Sequence, residues 1–208
     1  MAFGSGVLVS AVAYDLVGDA FDVGGGSGGV ALGLAAGALT FYVGDRAIDG
    51  LGGENRKSPR GEQAQGSPMA IVLGTVLDGV PESIVIGLSL LGGGGVSVAV
   101  IAAVFLSNLP EAMAASAGLV SSGWQRGHIL GLWVAVTLVS GLAALAGYAF
   151  FDGASERSLS FVSAFAGGAL LTMLADTMMP EAFEYGGRAV GLMTTLGFGL
   201  AFALSTLE

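Results

Sequence analysis

Seven runs of mostly apolar residues, each close to the length of a bilayer-crossing helix, narrow what this chain can fold into. They lie near residues 3–21, 29–48, 69–91, 96–120, 129–151, 159–181 and 189–207, separated by short breaks of glycine, serine or charged residues. A spanning helix needs roughly 20 predominantly apolar residues. The expected fold is therefore an all-α membrane protein of seven transmembrane helices, forming one transmembrane domain over residues 1–208.

Composition supports that class and removes several functions. Only 11% of residues are charged, against about 25% in a soluble domain, and the mean hydropathy is +0.80. There is no cysteine, which excludes disulfides and thiolate metal sites. The single histidine, His128, rules out a His-based zinc cluster. A net charge of −9 argues against nucleic acid, whose partners are usually basic. The 37 glycines suit helices that approach closely in lipid. The start, Met1-Ala2-Phe3-Gly4, has no basic stretch and does not read as a signal peptide.

The one long polar segment, residues 51–67, reads as a flexible loop. It ends in Ser67-Pro68, an N-cap followed by proline at the first helical position. Placing this loop in the cytoplasm puts Arg46, Arg56, Lys57, Arg60, Arg126 and Arg188 inside and only Arg157 outside. That bias sets the expected orientation in the cell membrane. Trp124 and Trp133 read as interfacial anchors, His128 as a boundary residue, and Gly92–Gly95 as an outer turn.

Chemistry concentrates in the third and fourth runs. Asp78 and Glu82 lie in one and Glu111 in the other, all about ten residues from a helix end, near the bilayer midplane at 1.5 Å per residue. Ionisable groups there cost roughly 2.5–3.5 kcal/mol or more on insertion scales, so they face a cavity or a partner. Asp78 and Glu82 are four apart and share a helix face, as do Ser107 and Glu111, with Asn108 three from Glu111. No lysine or arginine lies in either run, so a metal ion or protons must offset the clustered charge. The competing reading is protonated carboxyls hydrogen-bonded between helices. Three of the five prolines lie in apolar runs and each precedes a glutamate: Pro81-Glu82, Pro110-Glu111 and Pro180-Glu181. An interior proline frees the carbonyl four residues earlier, which makes Leu77 and Leu106 candidate extra ligands, and helices broken beside carboxylates are expected of a transporter site.

These segments resemble a known family. Asp78-Gly79-Val80-Pro81-Glu82-Ser83 is similar to the HNxPEG motif of ZIP metal transporters, and Ser107-Asn108-Leu109-Pro110-Glu111-Ala112 to the matching motif of the next helix. Residues 2–21, 34–46 and 165–184 resemble the family's second, third and seventh helices, with Gly18-Asp19 where Pro-Glu is usual. Counted so, the chain begins at the family's second helix, and the first has no counterpart. The resemblance implies a ZIP-like helix bundle with a binuclear metal site at the centre of its pathway. This chain departs from the pattern at Asp78, Gly79 and Ser107, where the family has His, Asn and His or Gln, and at Ser140, where a glutamate often serves. An all-oxygen site suits Mg²⁺, Ca²⁺ or Mn²⁺ better than zinc.

The expected function is a ZIP-type transporter moving a divalent cation (zinc, manganese, iron or cadmium) towards the cytoplasm. Asp78, Glu82, Asn108, Glu111 and Ser107 are its expected metal ligands. Asp15 and Asp19 are candidates for an entrance, and Asp176, Glu181 and Glu184 for an exit. The alternative is a membrane metal-binding or sensing protein of the same fold that does not transport. An enzyme is not expected, since one histidine excludes an HExxH metalloprotease. The partners are the cation and the lipid bilayer, with a homodimer left open.

Overall fold

A computed structural model of the chain describes residues 1–24, 27–53, 67–92 and 98–206. These residues form helices and turns, with no strand among them. Seven helices follow the seven apolar runs. Helix α1 covers residues 2–24, with a π-helical stretch, Val12–Gly18, between Ala2–Ala11 and Asp19–Gly24. Helix α2 is Ser27–Ile48, running on into a π-helical end at Asp49–Gly53. Helices α3, α4 and α5 are Pro68–Ser89, Val98–Ser121 and Arg126–Phe151. Helix α6 joins Glu156–Met173, a π-helical stretch Leu174–Met178, and Met179–Gly186. Helix α7 is Ala189–Ser205.

Five of them, α2 to α6, are long and apolar enough to cross a membrane. The expectation of seven is thereby narrowed: α1 carries Asp15, Asp19 and Asp22 in its second half, and α7 has 17 residues. Ser67 takes the extended N-cap conformation before Pro68, and its backbone carbonyl, not its side chain, closes the first turn with Ala70 N at 2.9 Å. Most of the expected loop, residues 54–66 with Arg56, Lys57 and Arg60, lies outside the described residues, as does 93–97 of the outer turn.

Helix α6 sits at the centre. Its Ala166, Ala169, Leu170, Met173, Leu174 and Met178 form the core with Val7, Leu8 and Val12 of α1, Phe41 of α2, and Val85 of α3. Helix α5 lies at the edge and packs mainly on α3. Its outward Leu130, Leu138, Leu142 and Leu145 are each at least 60% exposed. An apolar strip of that extent is untenable in water and ordinary against lipid.

Glycine decides which helices pair. On α2 and α6, a Cβ at Gly37 would fall on the Phe165 carbonyl, and one at Gly168 on that of Leu34. The same holds between α1 and α7 at Gly6 and Gly197, and between α3 and α5 at Gly87, while a Cβ at Gly147 would stand 2.7 Å from the Ile84 oxygen. Backbones in these three pairs touch directly, which maximises dispersion contact where no hydrophobic force separates protein from lipid.

A polar contact ties α5 to α4. Trp133 Nε1 donates to Ser116 Oγ at 2.9 Å, and Trp124 and Trp133 pack on Ile71, Ala115, Leu119 and Ile129. Trp133→Phe is expected to lower unfolding stability by about 1 kcal/mol, a typical net hydrogen-bond contribution. Thermal denaturation in detergent, with Ser116→Ala and the double variant, reads whether the two losses are shared.

Candidate metal centre

Helices α3 and α4 run antiparallel, and this sets the register of the buried polar residues. Ser107 Oγ donates to Glu82 Oε1 at 3.3 Å, and Asn108 Nδ2 donates to Glu82 Oε2. Both donors are also held from their own helix: Ser107 Oγ lies 3.0 Å and Asn108 Nδ2 2.9 Å from the Val104 carbonyl. Glu82 and Asp78 are each 2% exposed and Ser107 is fully buried. A hydroxyl and an amide of the next helix thus hold the two oxygens of this buried carboxylate.

Asp78 and Glu111 sit one turn further along, ten residues from Pro68 at the start of α3 and from Ser121 at the end of α4. That is about 15 Å of helix. Glu82 lies within electrostatic reach of Glu111 and of Asp78. Asp78 is buried, whereas Glu111 is half-buried. Ser140 of α5 stands next to this level, 3.8 Å from where a Cβ on Gly79 would be. Glu82, Ser107 and Asn108 are thus brought into contact. Among the described residues, however, no three Asp, Glu or His side chains gather as a set able to hold a metal ion, so Asp78 and Glu111 flank the Glu82 cluster without closing a three-carboxylate shell.

One expectation is corrected. The two helices are not broken at their prolines: α3 continues through Pro81 and α4 through Pro110. An apolar setting with close neighbours accommodates the lost backbone bond. The Leu106 carbonyl, freed by Pro110, abuts α1, only 3.0 Å from where a Cβ on Gly4 would stand. Glycine there lets α1 press against it. Near the third proline the helix does change form, since the π-helical stretch Leu174–Met178 ends two residues before Pro180. Thr177 Oγ1 bonds the Met173 carbonyl there at 2.6 Å.

The expected exit residues separate. Asp176 lines a cavity of about 370 Å³ with Tyr42, Asp45, Arg46 and Asp49 of α2. Glu181 lines a different one, of about 540 Å³, between the start of α1 and helices α4, α6 and α7. Glu184 is exposed and lines neither. The sequence reading missed Asp45 and Asp49, although their spacing of four, ahead of the polar segment, matches that of Asp15 and Asp19. At the expected entrance, Asp15 is half-buried in the π-helical stretch of α1 and Asp19 is exposed. His128 is exposed in the first turn of α5.

Comparison with known proteins finds no matching family model and no similar curated protein.

Proposed function

We propose that this chain is a ZIP-like permease for a divalent cation harder than zinc, moving it towards the cytoplasm between α3 and α4. One observation carries the reading: Glu82, buried at mid-helix in an apolar bundle, is held by Ser107 and Asn108 of the antiparallel neighbour. Burying a carboxylate in lipid is costly unless something positive arrives, and neither helix supplies a lysine or arginine. The ligands proposed are Glu82, Asn108 and Ser107, joined by Asp78 and Glu111 when a cation draws them in. The oxygen-only donor set favours Mn²⁺, Mg²⁺ or Ca²⁺, and a shell with a single central carboxylate suits a site that must release its cargo.

The second reading, a membrane metal-binding or sensing protein without flux, is favoured by the carboxylates standing one turn apart instead of converging. Proteoliposomes separate the two. Uptake of ⁵⁴Mn²⁺ that saturates and exceeds that of empty vesicles is the result expected of a permease. Binding by calorimetry without uptake would leave only the sensor. In the same assay, Asp78→His adds an imidazole, and the preference is expected to move from Mn²⁺ towards Zn²⁺ by about tenfold or more, imidazole being the softer ligand. An unchanged ratio would place Asp78 outside the coordination shell.

A further inference from the structure

Helix α1 meets two neighbours through glycines that are two residues apart and so point in nearly opposite directions around its axis. Towards α7 it is pinned. A Cβ at Gly6 would fall on the Thr194 carbonyl and one at Gly197 on that of Phe3, while Thr194 Oγ1 donates to the Ala2 carbonyl at 3.2 Å. Towards α4 it presents Gly4, where a Cβ would stand 3.0 Å from both the Leu106 oxygen and the Ser107 Cα. A methyl that close obliges its neighbour to give by a few tenths of an ångström. The backbone of α7 leaves α1 no room to retreat, so the give falls on α4. This turn of α4 is also the softer partner, because Pro110 has no N–H to bind the Leu106 carbonyl.

We propose that Gly4 is a positioning residue for the candidate metal centre: lacking a side chain, it lets the Leu106–Ser107 backbone stand where the Ser107 hydroxyl reaches Glu82. That contact has little slack. At 3.3 Å it already exceeds the usual O–H···O range of about 2.5–3.0 Å. The same hydroxyl lies 3.0 Å from the Val104 carbonyl, so a displaced Ser107 turns to its own helix. Gly4 itself touches no cation and acts only through α4. The inference rests on the reading of the Glu82 cluster as a metal site, and none of the proposed ligands lies on α1.

Infrared spectroscopy of the metal-free chain in nanodiscs tests it, with the Glu82 carboxyl band isolated by subtracting the Glu82→Gln spectrum in each background. Gly4→Ala is expected to shift that band as Ser107→Ala does, and to weaken Mn²⁺ binding by about tenfold, as changes beside a metal shell do. Adding Gly4→Ala to Ser107→Ala is expected to shift it no further, since residues acting through one contact are not additive. Gly33→Ala is the control. Its Cβ would stand 2.6 Å from the Phe161 oxygen, a harder clash between α2 and α6, and its band is expected to stay with the parent's while thermal stability falls. Thr194→Val adds no bulk, releases the Ala2 carbonyl, and is expected to move the band in a variant whose folding is not at issue. The proposal is overturned if Gly4→Ala and Thr194→Val both leave the band where the parent has it, or if Gly33→Ala shifts it equally. Were the parent to bind no Mn²⁺, the band would still report on Gly4, and only the permease reading would fall.

Discussion

Glu82→Gln is expected to abolish Mn²⁺ binding and uptake while leaving the protein folded and, without metal, somewhat more stable. The two effects have one cause. Glutamine keeps the volume and an oxygen that can accept from Asn108 or Ser107, so the packing between α3 and α4 survives. What goes is a carboxyl buried to 2% exposure, whose ionised form costs up to several kcal/mol to bury without a positive partner. A cation at this site loses the carboxylate that Ser107 and Asn108 of the opposite helix hold. Changes merely around a metal site typically cost 10–100-fold in affinity, so the loss expected here is at least about 100-fold. Calorimetric titration with Mn²⁺ and thermal unfolding with and without metal read both effects. A structural Glu82 behaves oppositely: the variant would unfold at lower temperature, and any cation binding would persist.

Gly37→Ala is expected to be among the most damaging single-methyl additions at the described glycines. The new Cβ would land on the backbone carbonyl of Phe165, with Phe165 C 2.7 Å and Ala169 N 3.0 Å away. Backbone cannot swing aside as a flexible side chain can, so α2 and α6 must separate. Overpacking a core typically costs 1–3 kcal/mol, and a backbone clash at the most extensive helix pair should reach or exceed the upper end. Because α6 also carries the core contacts to α1 and α3, the damage is not confined to one interface. Gly141→Ala is the matched control: nothing lies within 4 Å of its Cβ position, and alanine is the better helix former by about 1 kcal/mol. Thermal unfolding should therefore move in opposite directions for the two. Equal shifts would mean that the close approach of α2 and α6 does not hold the bundle together.

Much of the candidate site was legible before any coordinates. Asp78, Glu82 and Glu111 stood out because charge inside an apolar run is costly, and spacing along an α-helix is enough to say that Asp78 and Glu82 share a face. Asn108 and Ser107 followed from the same arithmetic, and both meet Glu82. The exit was read less well. Asp176 lies within a π-helical stretch and Glu181 beyond it, and they line different cavities. Nearness to one end of the run grouped them, and at 3.6 residues per turn two positions five apart point in different directions around the helix axis.

The seven helices and their ends were set by local chemistry: the length of each apolar run, Pro68 opening α3, and glycine in the turns, as at Gly123 with φ 83° between α4 and α5. Those signals are short-range, and any environment that buries the runs reads them alike. Which helix lies at the centre, which at the edge, and which glycines meet a neighbouring backbone came only with the tertiary structure. In water an apolar stripe marks the face to be buried, but here the lipid-facing and protein-facing sides are both apolar. Partner choice then rests on steric fit between distant segments, such as Gly37 of α2 against Phe165 of α6, and fit of that kind exists only once both helices are in place.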